Sequence, residues 1–271
     1  MDWIQILDEA TQSIKIEVTK LLRTVEAKKT LGVGAGGDET RKIDVTAENA
    51  LIKTLEEHDV SCILISEEKG ETKIGSRPPQ AYLTVDPLDG TTNAIRGIPF
   101  IATSIAVSKT PQLSTVETTI VADILHDVTY MAQKGLGAFR NYQKITPSQQ
   151  TTVEDAVIGI DFNTYKKQEL TTQLNNLLAK TKHLRHLGAN ALELCYVADG
   201  TTDAFLDLRG KLRVTDMAAA YLIIKEAGGI ITTSKGDALN AQLTPTQRIS
   251  FIAAGNIEIY NNIMKLLIST E

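Results

Sequence analysis

The apolar run from Ala81 ends in Asp86-Pro87-Leu88-Asp89-Gly90-Thr91-Thr92-Asn93, and no other stretch of the chain limits its fold as much. The run reads as a short strand. Pro87 fixes φ and removes a backbone donor, so the hydrogen-bond ladder is interrupted where the acids begin. A tight Asp-Pro-x-Asp turn aims Asp86 and Asp89 at one centre and exposes the Leu88 carbonyl between them. Loops at strand ends are where functional sites collect. Taken alone, however, the two Asp dipeptides are also what ordinary turn formers look like.

The rest of the chain supplies layers to surround that strand. Ile4, Leu7, Ala10, Ile14, Val18, Leu21, Leu22 and Val25 recur at helical spacing and predict a long amphipathic first helix. A glycine-rich stretch, Gly32 to Gly37, separates it from a second helix over about Lys42 to His58. Strands are predicted at Cys62 to Ser66, Ala81 to Asp86 and Phe100 to Ser108, with a hairpin from Thr118 to Phe139. The later chain alternates: strand 156–162, helix near 166–180, strand 183–187 and helix 190–198. Strand 203–208 and helix 215–227 follow, then short strands near 230 and 251 and a closing helix from Glu258. Neither an internal repeat nor a low-complexity linker divides the 271 residues. They are expected to form one unit of stacked helix and sheet layers, with halves of about 1–145 and 150–271.

Composition narrows the function classes. The formal net charge is -5 and no Lys/Arg stripe with interleaved aromatics occurs, so a nucleic-acid partner is not expected. The N-terminus carries Asp2, Gln5, Asp8 and Glu9 in place of a basic, then apolar, leader. The longest apolar run, Met217 to Ile224, is too short to span a bilayer. A cytoplasmic protein with no membrane partner is expected, and Cys62 and Cys195, set among apolar neighbours, are expected as buried free thiols.

Three segments place carboxylates at strand ends: Ser66-Glu67-Glu68, Asp86 to Asp89, and Thr215-Asp216-Met217. Carboxylates with a carbonyl suit a hard divalent cation such as Mg²⁺, which prefers oxygen ligands and keeps room for water and phosphate oxygens. The full string Asp-Pro-Leu-Asp-Gly-Thr-Thr-Asn with Glu-Glu upstream resembles the signature of the inositol monophosphatase family. Further matches are Lys134-Gly135-Leu136-Gly137-Ala138-Phe139, Arg185-His186-Leu187-Gly188-Ala189, and Asp216-Met217-Ala218-Ala219 leading to Glu226-Ala227-Gly228-Gly229. The resemblance covers nearly the whole chain. It implies an α+β fold, the layered α/β/α/β/α sugar-phosphatase fold of that family.

Carried over by matching position, the resemblance makes Glu67, Asp86, the Leu88 carbonyl, Asp89 and Asp216 metal ligands, with Asp86 bridging. It makes Thr91 the hydroxyl that orients the attacking water and Asp44 its acidic partner, with Glu68 supporting the ligands. Two or three Mg²⁺ ions would then neutralise the phosphate and activate water for in-line displacement, with no phosphoenzyme. Gly90 and Thr91 are expected to meet phosphate oxygens; Gly188, Ala189, Arg185 and Arg209 are the other expected substrate contacts. Arg213 is a further guanidinium suited to phosphate, and surface ion pairing is the alternative for all three arginines. Arg209 lies seven residues before Asp216, where many inositol-specific members carry Glu. With the Gly-Ala-Gly-Gly loop, it makes the chain most similar to archaeal dual-specificity members that hydrolyse inositol monophosphate and fructose 1,6-bisphosphate, with Arg185 and Lys166 or Lys167 available to a second phosphate. A small sugar or polyol phosphate substrate and a homodimer are implied.

Competing readings are testable. Gly32 to Gly37 satisfies G-x-G-x-x-G, but a helix and not a strand precedes it, so it better resembles the family's mobile loop than a dinucleotide site. Asp86 and Asp89 have two residues between them, whereas phosphatases that attack through aspartate separate their acids by one. His183 and His186 would point to opposite faces of a strand, which disfavours a metal site. A phosphatase of nucleotide 3′-phosphates on the same fold, and a non-enzymatic protein-interaction role, stay open because fold does not fix function.

Overall fold

The computed structural model describes residues 1–163 and 169–268, so Lys166 and Lys167 lie outside the described residues. Among the described residues, helix α1 (Trp3–Leu21) buries Ile6, Leu7, Ala10, Ile14 and Val18 along one face. It stops at Leu21, short of Val25: Arg23 adopts φ 65°, a left-handed conformation that turns the chain away. The glycine-rich stretch is not a plain loop. Strands β1 (Thr30–Val33) and β2 (Glu39–Arg41) pair as an antiparallel hairpin whose tip it forms.

Helix α2 (Lys42–Glu57) follows, then β3 (Cys62–Ser66), β4 (Gly70–Ile74), β5 (Tyr82–Asp89), the short α3 (Thr91–Arg96) and β6 (Ala102–Ser108). A meander of β7 (Val116–Asp123), β8 (Val128–Gln133), β9 (Gly137–Arg140) and β10 (Gln143–Lys144) completes the first half. The second half runs β11 (Val157–Ile160), α4 (Glu169–Lys180), β12 (His183–Arg185), α5 (Asn190–Ala198), β13 (Ala204–Arg213) and α6 (Val214–Ala227). It ends with β14 (Ile230–Thr233), β15 (Arg248–Ala254) and α7 (Ile257–Ile268).

These elements stack in five layers. An eight-stranded sheet in the order β10-β9-β8-β7-β6-β5-β3-β4 carries α1 and α2 on one face and α5 and α6 on the other. A five-stranded sheet, β12-β11-β13-β15-β14, covers the far side of α5 and α6 and is itself covered by α4 and α7. The middle helices are therefore apolar all round, as burial on two sides requires. In α6 only Lys225 and Glu226 escape burial, and Ala218, Ala219 and Ala220 keep its girth small between the sheets. Glu226 serves the Lys134-Gly135-Leu136-Gly137 motif: its carboxylate accepts the N–H groups of Gly135 (2.8 Å) and Gly137 (3.0 Å) and fixes the β8–β9 turn. Cys62 and Cys195 are buried free thiols. Among the described residues, no helix is long and apolar enough to cross a membrane.

Candidate active site

Strand pairing brings the acids together. β3 runs parallel to β5 with Ser66 opposite Val85, so Glu67 leaves β3 beside Asp86. β5 does not stop at Asp86, as the turn reading expects. It continues to Asp89 through a register shift between those two residues against β6. The bulge arises where Pro87 has no N–H to give, and Thr103 Oγ1 donates to the Pro87 carbonyl at 2.9 Å to hold it. Gly90 then takes φ 89°, and a Cβ there would meet the Phe100 carbonyl at 3.1 Å and the Gly188 carbonyl at 3.3 Å. Only glycine fits that bend comfortably.

The remaining acids arrive on helix starts. Asp216 is the third residue of α6. Asp44 is the third residue of α2, where Oδ2 accepts the Arg41 N–H at 2.9 Å and Oδ1 accepts the Thr91 hydroxyl at 2.9 Å. Thr91 Oγ1 also lies 3.2 Å from the Leu88 carbonyl. Glu68 accepts the Thr40 hydroxyl, in keeping with a supporting place. The N-terminus of α5 points at Asp89: the Ala191 N–H donates to Asp89 Oδ2 at 2.7 Å.

A cleft of about 350 Å³ is lined by Asp44, Glu67, Asp86, Leu88, Asp89, Gly90, Thr91, Gly188 and Asp216, with Asp38, Glu39, Arg41, Glu68, Asn190 and Arg213 also on its walls. A larger hollow of about 540 Å³ lies elsewhere, between Thr233–Gln242 and Gln247–Ser250, but its single acid, Asp237, makes it no rival for phosphate chemistry. In the cleft, burial first and then the neighbouring carboxylates push Glu67, Asp86 and Asp89 well above the usual carboxylate range. Burial raises Asp44 to about 6 and Glu68 to about 7.

One cation sits among these acids. The Arg213 guanidinium pairs with Glu67 and with Asp38 of the hairpin tip, and its Nε lies 3.2 Å from Asp216 Oδ1. Burial opposes its charge, but Asp216, Glu67, Asp86 and Asp38 outweigh burial and raise its pKa. The hairpin tip is also tied by its backbone: Gly36 N–H donates to the Glu67 carbonyl at 2.7 Å and Arg248 donates to the Gly36 carbonyl.

As they stand, no three of these carboxylates, among the described residues, close on a single point as ion ligands do; Arg213 lies between Glu67 and Asp216. The donor chemistry nevertheless fits a hard cation. Five nearly inaccessible carboxylates, Asp44, Glu67, Asp86, Asp89 and Asp216, share the cleft, and of its two guanidiniums only Arg213 pairs with any of them, through Glu67 Oε2 and Asp216 Oδ1. Buried acids left so poorly compensated call for cations.

Of the expected substrate contacts, Gly90, Thr91 and Gly188 line the cleft, whereas Ala189, Arg185 and Arg209 do not. Ala189 is fully buried as the N-cap of α5. Arg185 is exposed and donates to the Leu184 carbonyl at 2.8 Å. Arg209 is buried: it grips Asp207 through Nε (3.0 Å) and Nη2 (2.6 Å) and meets Asp161 at 2.5 Å. Its charge is already balanced by two acids. His183 ends up on β12, while His186 lies beyond it, 3.9 Å from Asp161. Asp38, Glu39, Arg41 and Asn190 are cleft residues that sequence reasoning does not single out as such. The buried helix start after Gly188 was the available signal for Asn190.

Comparison with known proteins gives the family. The model of the "Inositol monophosphatase family" matches residues 3–269. The chain belongs to the inositol monophosphatase family. Within it, a fructose-1,6-bisphosphatase/inositol-1-monophosphatase of Methanothermobacter thermautotrophicus is 36% identical, covering 98% of this chain and 96% of its own. A bifunctional NADP phosphatase/NAD kinase of Methanococcus maripaludis is 32% identical over 95% of this chain but only 48% of its own length. A crystal structure of an inositol monophosphatase-fructose 1,6-bisphosphatase superposes with a TM-score of 0.84 at 33% identity, covering 98% of this chain and all of the other. The five layers are the fold of this family.

Proposed function

We propose that this chain is a Mg²⁺-dependent phosphoric monoester hydrolase acting on inositol 1-phosphate and fructose 1,6-bisphosphate. The observation that carries the reading is the Thr91–Asp44 hydrogen bond of 2.9 Å, set beside the buried carboxylates Glu67, Asp86, Asp89 and Asp216. In this reading those four acids and the Leu88 carbonyl are the residues that would hold two or three Mg²⁺ ions. Mg²⁺ held there neutralises phosphate oxygens and makes a water acidic enough to attack at neutral pH.

The chain's own groups orient that water and move its proton. Thr91 Oγ1 accepts a hydrogen bond from the water and passes its own to Asp44, a carboxyl that burial brings to about 6 and so into the range of a working base. Gly90 and Thr91 N–H groups meet the phosphate, and Gly188 meets the remainder of the substrate. Support for a bisphosphate comes from the relatives' names and not from a free cation, since Arg209 is already paired. Ala189 and Arg185 remain proposed contacts only in so far as substrate binding moves them.

The test is phosphate release with and without Mg²⁺ over a panel of inositol 1-phosphate, fructose 1,6-bisphosphate, a nucleoside 3′-phosphate and NADP. NADP is included because of the name of the Methanococcus relative. Release from none of them in Mg²⁺ would leave the scaffold as an interaction module. The same reading makes the protein a homodimer, the commonest closed assembly, and light scattering at working concentration decides that.

A further inference from the structure

One wall of the cleft is a turn gripped from two sides. The Leu187 carbonyl accepts a hydrogen bond from Asn93 Nδ2 at 2.8 Å, and the same amide donates to the Phe100 carbonyl at 2.9 Å. From the other side, Glu193 Oε1 accepts the N–H groups of Leu187 (3.2 Å) and Gly188 (2.9 Å). Gly188, at φ 87°, lies between them, and a Cβ on it would meet the Asn93 side chain at 3.3 Å. The turn therefore has one position, set by one amide and one carboxylate.

Glu193 is an unusual occupant of its place. It is 3% exposed on α5, a helix otherwise made of apolar residues save at its first position, and it does not line the cleft. Burying a carboxylate costs more than a neutral hydrogen bond returns, so apolar packing alone would not retain an acid here. Both its bonds to the turn go to a single oxygen. The N-terminus of the same helix holds Asp89 at 2.7 Å. α5 is thus a strut that fixes the distance between a proposed metal ligand and the turn that faces the substrate.

From this two-point grip we infer that Glu193 is a positioning residue for the non-reacting, hydroxyl-bearing part of the substrate, acting through the Leu187–Gly188 turn. The inference rests on the proposed reading of Gly188 as a substrate contact. Gly90 and Thr91, the proposed phosphate contacts, neighbour this turn but take no hydrogen bond from Glu193, whose bonds go to Leu187 and Gly188, so its loss is expected to show in substrate affinity and not in the chemical step.

The experiment compares Glu193→Ala, Glu193→Gln and Glu193→Asp in the full chain, with Mg²⁺, on inositol 1-phosphate and on p-nitrophenyl phosphate, which carries no hydroxyls to meet the turn. Glu193→Ala should raise KM for inositol 1-phosphate by roughly tenfold, the scale of lost hydrogen bonds that position a binding group, with a loss on the aryl ester no greater than about threefold. Glu193→Gln should restore the parent KM, because one amide oxygen can accept both N–H groups. Equal losses on both substrates, an unchanged KM in a folded Glu193→Ala protein, or a folded Glu193→Gln that fails to rescue would each overturn the inference. If Glu193→Ala does not fold, Glu193→Asp, which keeps the charge but withdraws it by one methylene, must show the same split or the inference is wrong. A parent enzyme that hydrolyses the aryl ester separates failure of this inference from failure of the proposed function, since inactivity on both substrates overturns both.

Discussion

Asp86→Asn changes one oxygen to an amide and keeps the oxygen that accepts the Leu88 N–H at 3.1 Å, so the bulge that carries both acids should survive it. Its effects on activity and on metal-free stability should have opposite signs. At pH 8 the metal-free cleft gathers five buried carboxyl groups, of which only Glu67 and Asp216 are paired with the Arg213 guanidinium. Two like charges about 4 Å apart repel by about 4 kcal/mol at an effective dielectric of 20. Removing one carboxylate relieves several such terms, part of which protonation has already relieved, because burial and then Glu67, Asp216 and Asp89 push the Asp86 pKa up. A net gain of about 1–2 kcal/mol is a reasonable remainder, and in a chain of this size it corresponds to about 2–8 °C in melting temperature. The same substitution deprives the site of a proposed metal ligand, so turnover in saturating Mg²⁺ should fall by at least roughly 10²-fold. Calorimetry in chelator at pH 8, the Mg²⁺-induced shift in melting temperature, and phosphate release measured on one preparation decide it. A near-parental rate, or a metal-free melting temperature that falls by several degrees, would refute the reasoning.

Further predictions follow from the same groups. Asp44 is raised to about 6 and Glu193 to about 7, chiefly by burial, so the folded state binds more protons than the unfolded one between pH 4 and 7; metal-free stability should therefore fall as pH rises through that window, and melting curves at pH 5 and pH 8 check the sign. Thr91→Val should lower kcat by roughly 10²-fold while Thr91→Ser retains most of it, since the serine hydroxyl can still donate to Asp44, as steady-state kinetics would reveal. Arg209→Glu, the obvious probe of bisphosphate selection, would set a third carboxylate against Asp161 and Asp207 and should unfold the protein. Arg209→Met is the usable probe, with an expected loss of about 3–5 kcal/mol from two buried acids left uncompensated, read by denaturant titration.

Much of the layering could be read from periodicity because most elements carry local signals. The strand at Cys62–Ser66 and the helix at Asn190–Ala198 fall where spacing puts them, the latter because Gly188 and Asp199 bracket an apolar run. The hairpin β1–β2 is invisible for the opposite reason: all four residues of β1 are exposed, so no alternation of buried side chains marks it. The acids of the cleft could be listed from sequence, but their convergence came from resemblance, since β3, β5 and α6 meet only through tertiary packing. The arginines show where local reading fails. Nothing near Arg213 announces a partner 175 residues away at Asp38, and nothing at Arg209 announces Asp161 just past the end of the neighbouring strand β11. Guanidinium groups that look equivalent along the chain differ entirely in what charge they have left to offer.

The placement of α5 and α6 between the two sheets has a consequence for how this enzyme can be divided. Both helices come from the second half of the chain, yet they cover the inner face of the sheet built by the first half. The loop at Pro111–Leu113 pairs with Ala241–Leu243 across the same boundary. A cut near residue 148 therefore separates a sheet from its own cover, leaving β5 to β8 with one bare apolar face and the cleft without Asp216. Neither fragment should persist as a monomer, but the two share an extended complementary surface and should reassemble when made together. The natural use of such a cut is as a split reporter, in which phosphate release appears only when two tethered proteins bring the fragments into contact.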